Sequence, residues 1–586
     1  MDIFSILALI GGLALFLYGM DVMGDSLKKI SGGKLESILE RLTSNRFNGF
    51  LLGMFVTAVI QSSSATTVML VGFVNSGIMK LGQTIGVIMG ANVGTTVTAW
   101  LISLSDISND ASTIIKLFKP TSFTPVLAII GLFFTMTGQD KKKNIGTLLL
   151  GFAILMFGMD AMSESMKGLK DSETFQQILV MFDNPILGIL SGTILTAIIQ
   201  SSSASVGILQ ALSITGIIPH SVALPIILGQ NIGTTITPIL SSINANTDSK
   251  RVAFSCLYIK MLGVVIVCVA FYVLHGIFDF AFMHTNASFI SIAVIHTLFN
   301  ILSTVILIPF TNQIEKTACT LIKGKKNDED TVVNPTHTLD DRFLDYPAYA
   351  IERSRNLVVD MALTAKESLI ASIGLIDNYD KEIVDKIHQS EKKIDTFEDK
   401  ISSYLVKIAS RDLSKSDSET TTKLLHIIGD IERIGDHAEN IVDVAEEIYQ
   451  KKIQFSEEAR KEIKIFSDAT AEILEITMSA LEKDDIELAK HIEPLEQIID
   501  KLKHKLKNRH FARLQAGKCT IELGFVFSDL LTNYERTADH CSNIGVCLIQ
   551  IANDTVDSHE YLRNIKHSGD NNFITQYEFF KEKYSI

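Results

Sequence analysis

Basic charge is scarce in this chain: 53 Lys and Arg stand against 66 Asp and Glu. An acidic protein lacks the basic face that nucleic acid demands, which excludes that class of partner. Cysteine is scarce too. Cys256, Cys268, Cys319, Cys519, Cys541 and Cys547 form no CxxC pair and no metal-ligand spacing. They therefore make no disulfide framework, and those in apolar runs behave as small hydrophobes. No Walker loop is present, so ATP-driven work by this chain alone is excluded. No enzyme motif stands out, and no catalytic residue is assigned. The apolar start, MDIFSILALIGGLALFLYGM, has neither a basic n-region nor a small-residue cleavage site. It reads as a retained first membrane span, not a removable leader.

What is present is unevenly spread. Up to Thr320 the chain holds 17 Lys and Arg and 16 Asp and Glu, leaving 36 and 50 for the remainder. A sparsely charged apolar half therefore precedes a charged, acidic, water-soluble one.

The apolar half contains an internal repeat at a constant offset of 139 residues, with 23 identities in 56 positions between 49–104 and 188–243. TAVIQSSSA at Thr57–Ala65 matches TAIIQSSSA at Thr196–Ala204, and GANVGTTVT at Gly90–Thr98 matches GQNIGTTIT at Gly229–Thr237. The same offset pairs Gly19-Met20-Asp21 with Gly158-Met159-Asp160. Apolar stretches at 3–23, 83–104, 121–137, 144–162, 222–242, 252–274 and 289–311 predict seven spans, most near the ~20 residues a crossing needs. The stretches 47–60 with 64–79, and 186–199 with 203–218, are shorter paired arms hinged at QSSS. They predict two re-entrant helical hairpins.

Basic clusters orient the chain. Lys28, Lys29, Lys34, Arg41 and Arg46, then Lys141–Lys143, Lys250 with Arg251, and Lys316 with Lys323, Lys325 and Lys326 all fall on one side. By the positive-inside rule that side is cytoplasmic and the N-terminus lies outside. The first span then enters and its mate exits, so the repeats are inverted. The expected fold is all-α: a membrane unit over 1–315 with repeats at about 1–138 and 139–315, a linker over 316–344, a soluble helical bundle over 345–555, and a loosely packed tail over 556–586. Localisation follows as a multi-pass protein of the plasma (inner) membrane with a cytoplasmic C-terminal half. A homodimer is left open.

Hydroxyls, amides and glycines at mid-membrane are costly unless they face a cavity or an ion. Each QSSS sits where one short helix ends and another begins. Its serines can cap the second arm, and the unpaired N–H groups there carry the positive end of the helix dipole. Gln61, Ser62, Ser63, Ser64, Gln200, Ser201, Ser202 and Ser203 thus form a candidate anion site without a lysine or arginine. The G-x-N-x-G-T-T segments carry glycines that predict unwinding at Asn92 and Asn231. Freed carbonyls there, with Thr95, Thr96, Thr234 and Thr235, suit a sodium ion. Lys260 lies deep in a predicted span. Three readings stand for it: its ammonium replaces a cation, pairs with Asp21 or Asp160, or snorkels to the surface.

QSSSATT, GANVGTTVTAWL, QSSSAS, GQNIGTT and A-x-x-H-x-x-F-N (Ala293, His296, Phe299, Asn300) resemble the type II sodium–phosphate cotransporter family over roughly residues 1–315. The resemblance implies phosphate between the hairpin tips, sodium nearby with Asn300 added to its ligands, and alternating access. The family also carries H-x-x-F-N one span earlier. Here Cys256 and Lys260 stand in place of its histidine and asparagine.

A second repeat, offset by 103, relates Glu432-Arg433-x-x-Asp436-His437-x-x-Asn440 to Glu535-Arg536-x-x-Asp539-His540-x-x-Asn543. The pattern resembles PhoU-like domains, tandem three-helix bundles tied to phosphate regulation. The resemblance implies a divalent or transition metal on the Glu432, Asp436, Glu535 and Asp539 faces. A solvated or salt-bridged helix face is the alternative. Together the resemblances imply sodium-coupled phosphate transport with a regulatory domain. The rivals are another oxyanion, arsenate or sulfate, and a membrane-anchored phosphate sensor.

Overall fold

The computed structural model describes residues 3–31, 38–39, 46–104, 120–137, 140–167, 181–324, 339–553 and 571–586. Among them there is no β-strand. The chain forms two compact units, residues 1–349 and 350–586.

In the first unit the repeat is visible in three dimensions. Helix α1 (Ile3–Ser31) lies along its mate α7 (Asp140–Met166) through a glycine seam. A Cβ on Gly19 would lie 2.3 Å from the Leu155 backbone nitrogen, and one on Gly158 would lie 2.3 Å from that of Phe16. Rising numbers on one helix meet falling numbers on the other, so the mates run antiparallel, as inverted repeats require. Each mate is followed by a hairpin of two short helices: α2 (Arg46–Ile60) with α3 (Ser63–Asn75), and α8 (Pro185–Ile199) with α9 (Ser202–Ser213). At ~1.5 Å per residue no arm is much longer than about 20 Å. Thr57 Oγ1 meets Thr66 Oγ1 at 3.0 Å, fixing the first pair of arms side by side.

The next span is broken in both repeats: α4 (Leu81–Gly94) with α5 (Thr96–Ser103), and α10 (His220–Gly233) with α11 (Ile236–Ser242). The expected unwinding at Asn92 and Asn231 is corrected, because both asparagines are helical and the breaks come later, at Thr95 and at Thr234-Thr235. The glycines serve packing instead. A Cβ on Gly90 would lie 1.9 Å from the Phe50 carbonyl oxygen and one on Gly229 would lie 2.0 Å from that of Ile189, so each broken span presses against the first hairpin arm.

Three more helices complete the membrane unit: α6 (Pro120–Thr137) between the repeats, and α12 (Thr247–Phe278) with α13 (Phe289–Leu307) after them. Among the described residues six helical stretches are long and apolar enough to cross a membrane, counting each broken span as one. The expected seventh, at 121–137, is helical as α6, and its described apolar stretch is Phe123–Thr137.

The expected linker is in part not free. Residues 316–321 belong to an amphipathic helix, α14 (Thr311–Leu321), and 339–345 pack onto the membrane unit, while 325–338 lie outside the described residues. Phe343 and Tyr349 bury their rings against Phe73 of α3, with centroids 5.4 and 5.5 Å away. Asn75 donates to Asp340 at 2.6 Å, and Arg342 donates to the Ser241 carbonyl at 3.0 and 3.1 Å.

The second unit is two helical trios: α15 (Pro347–Leu375), α16 (Lys381–Ala409), α17 (Lys415–Lys451), then α18 (Glu457–Lys483), α19 (Ile492–Gln515), α20 (Ile521–Asn553). Side-chain caps start several of them, with Ser414 accepting from Asp417 N and Ser456 from Ala459 N. The repeat-matched α17 and α20 form the central contact, where His437 stacks on His540 at 5.6 Å. Buried Glu462 is held by two N–H donors of Arg513 at 2.7 and 3.0 Å. The expected loose tail is corrected over its last residues. Helix α21 (Asn571–Lys583) packs on α19 and buries Phe580 and Tyr584, while 556–570 lie outside the described residues.

Candidate functional site

The two QSSS motifs are helix starts, and both adopt one local structure. Gln61 and Gln200 end their first arms in the left-handed conformation, at φ +62° and +59°. That is sparsely populated for a residue with a Cβ, and it reverses the chain here. Ser62 and Ser201 then cap the second arms, accepting from Ala65 N and Ala204 N at 3.2 Å each. Ser63, Ser64, Ser202 and Ser203 fill the first turns and are buried. The backbone N–H groups of a first turn have no helical acceptor, so each tip offers donors and a positive dipole end to an anion.

The tips converge. Ser203 Oγ of the second hairpin donates to Thr98 Oγ1 at 3.2 Å, and Thr98 Oγ1 donates to Gln61 Oε1 of the first at 2.6 Å. Gln61 also donates through Nε2 to the Ala58 carbonyl. Sequence reasoning passed over Thr98. Its signal was present: Thr98 and Thr237 match across the repeat, two residues beyond the paired threonines. The tips differ in one respect, since Gln61 is buried and Gln200 is exposed.

Buried polar atoms without a protein partner gather in these same helices. They include Thr95 Oγ1, Ser205 Oγ, Gln230 Oε1, Thr237 Oγ1, Ser303 Oγ and both ring nitrogens of His296. Orphaned polar groups at such depth call for a polar ligand or water.

Of the sodium candidates, Asn92, Asn231 and Asn300 line one small cavity together with Lys260. Thr234 Oγ1 accepts from the Lys260 ammonium. Thr95 has its hydroxyl buried and unpaired. Thr96 and Thr235 are turned elsewhere, donating to the Val93 and Ile232 carbonyls at 2.8 Å each. Two readings of Lys260 are thereby corrected. Asp21 and Asp160 are exposed while Lys260 is 7% exposed, so neither carboxylate pairs with it, and its head ends inside the protein instead of at a surface.

In the second unit Glu432 and Asp436 lie near Glu391, Asp395 and Glu398 of the neighbouring helix. Burial first, then Asp436, Glu398 and Asp395 for Glu432, and Asp395 and Glu439 for Asp436, raise these two carboxyl groups above their ordinary range. Their repeat-mates are compensated: Lys503 pairs with Glu535 at 2.7 Å and Arg536 with Asp539 at 3.7 Å. Among the described residues no three His, Cys, Asp or Glu side chains form a ligand set for a metal ion.

Antiparallel repeats whose re-entrant tips and broken spans meet at one polar spot define the inverted-repeat class of membrane transporter. The Na+/Pi-cotransporter family matches residues 15–164 and again 154–296, and the PhoU domain matches 358–445 and 463–547. The chain belongs to the Na+/Pi-cotransporter family through its membrane unit and carries PhoU domains behind it. A Salmonella typhimurium protein, YjbB, whose name proposes inorganic phosphate export, is 22% identical over 95% of this chain and 100% of its own. The uncharacterised protein YqeW of Bacillus subtilis is 32% identical over 53% of this chain and 96% of its own. The rat sodium-dependent phosphate transport protein 2A is 34% identical over 16% of this chain and 15% of its own.

Proposed function

We propose that the membrane unit is a secondary transporter of inorganic phosphate, coupled to sodium, and that the PhoU domains regulate it from the cytoplasm. The observation that carries the reading is the Ser203–Thr98–Gln61 chain, which joins the capped tips of two inverted repeats. Phosphate is a tetrahedral anion and needs donors on several sides to leave water. Two first turns with their serine hydroxyls supply donors from two sides without a lysine, so the ligand is held but also released. The buried, unpaired hydroxyl of Thr95 suits a small cation close by. That cation would offset the charge of the anion.

Flux of labelled phosphate into proteoliposomes, with and without a sodium gradient, tests the reading. Gradient-dependent flux that excess arsenate or sulfate leaves intact supports sodium-coupled phosphate transport. Saturable phosphate binding with no flux in either direction would instead make the protein a sensor. The name of the full-length relative from Salmonella typhimurium favours export as the physiological direction, and inside-out vesicles read it directly. A divalent or transition metal on the Glu432 and Asp436 face is part of the proposal. Glu432→Gln with Asp436→Asn should lower the metal content of the purified full-length protein and leave its helicity nearly unchanged.

A further inference from the structure

The anion site leaves one charged group of the membrane unit without a use. Lys260 of α12 is buried, and its ammonium donates to Thr234 Oγ1 at the break of the second repeat. The free space of the cavity it lines, about 10 Å³ counted for the centre of a water-sized sphere, is that of one water or one bare ion. Asn92, Asn231, Asn300 and Ser303 contribute the polar wall, and no residue lining the cavity is acidic. Asn231 and Asn300 each give Nδ2 to a backbone carbonyl one turn back, at 3.0 and 2.8 Å. Each keeps its amide oxygen, beside one N–H, free to face the cavity. The Lys260 head group thus sits among neutral oxygens, the environment that a hard cation asks for.

Pseudo-symmetry sharpens the point. The repeat-mate of Thr234 is Thr95, whose hydroxyl is buried and has no partner. One of two matched threonines holds an ammonium and the other holds nothing from the protein. His296, one turn before Asn300 and 1% exposed, keeps both ring nitrogens without a partner. The region is therefore built for polar occupants, and only one of them is covalently attached.

We propose that the Lys260 ammonium is a resident cation: it permanently fills one of the two matched cation positions and leaves the Thr95 position to a mobile sodium ion. The proposal rests on the transport reading for its consequence, which is one coupled ion fewer per cycle than two equivalent positions would give. A tethered ammonium is not released to either side. A second cation in the same small cavity would meet a like charge at contact distance in a low-dielectric site, so sodium is kept out.

Thermal unfolding of the full-length protein in detergent, in sodium chloride and in choline chloride at equal ionic strength, reads cation occupancy without requiring transport. Lys260→Asn and Lys260→Gln should each gain a sodium-specific rise in Tm, half-saturating at sodium concentrations at least about ten-fold below those that shift the wild type. Lys260→Arg keeps the charge and should keep the wild-type response. In proteoliposomes Lys260→Asn should also raise the sodium moved per phosphate by about one. A sodium response in Lys260→Gln and Lys260→Asn no different from that of the wild type overturns the resident cation. Absence of wild-type flux together with a gained sodium response in the variants would sink the transport reading while upholding the resident cation.

Discussion

Gln61 and Gln200 hold backbone conformations that cost of order 1 kcal/mol or more each, and they do so at the same position of two repeats. Glycine would adopt that φ freely. Gln200→Gly, whose side chain is exposed, should therefore keep or raise the Tm while weakening phosphate binding, measured by calorimetry on the full-length protein. A Tm that falls in step with affinity would show the glutamine to be structural. Thr98 offers a sharper comparison. Thr98→Val removes the hydroxyl that joins Gln61 to Ser203 and leaves buried partners unsatisfied, at a cost of ~1–3 kcal/mol. Phosphate affinity should fall by about ten-fold. Thr96→Val, whose hydroxyl serves only its own helix turn, should fall much less. Equal losses in the two variants would remove the bridge from the site. The caps at Ser62 and Ser201 were legible because serine at a helix start has one dominant use. Thr98 and the partner of Lys260 were not, because contacts 105 and 26 residues apart in sequence leave no local trace.

Hairpins and broken spans were legible as elements, because two copies of one pattern vouch for each other. The place of each break was not. A glycine in an apolar helix either interrupts it or lets another backbone come close, and one chain gives no means of choosing. Gly90 and Gly229 take the second role. The tail helix α21 was hidden for a related reason: few apolar residues, too short a run to show a period, become buried only when α19 is beside them. In the soluble unit the acidic faces of α16 and α17 make a pH-dependent element. Burial first, then Asp395, Glu439 and Asp436, raise the Glu391 carboxyl to about 7. The folded chain keeps that proton where the unfolded chain, near 4.5, has lost it. Stability of this element therefore falls as pH rises from about 4.5 to about 7. Amide-exchange protection of α16 and α17 in the full-length protein should be lower at pH 8 than at pH 5, and Glu391→Gln should flatten the difference. Protection that rises with pH would contradict it. The buried Glu462 ion pair sets a second test. Arg513→Ala leaves the buried Glu462 carboxylate only Arg509 at 3.3 Å and should cost up to about 3–5 kcal/mol, read as lost exchange protection in α18 and α19.

At the scale of the whole molecule, the antiparallel seam of α1 and α7 sets the ends of these helices apart. Ser31 ends α1 and Lys167 follows α7, so they leave the seam at opposite ends. Single cysteines at Ser31 and Lys167 should react with a membrane-impermeant reagent from opposite sides of sealed vesicles. Labelling of both from one side would undo the inverted arrangement.

The lysine inside the cavity has an energetic consequence for such a machine. An ion that binds on one side and leaves on the other yields about 2.3 kcal/mol per charge at 100 mV, close to a fifty-fold concentration ratio. A cation attached to the chain travels out with the loaded carrier and back with the empty one, so its charge cancels over the cycle and it extracts nothing from the membrane potential. The phosphate gradient at which net flux stops is lower by that factor and by the sodium concentration ratio besides. A carrier of this kind stalls early as a pump, and it reverses under a modest excess of phosphate inside the cell.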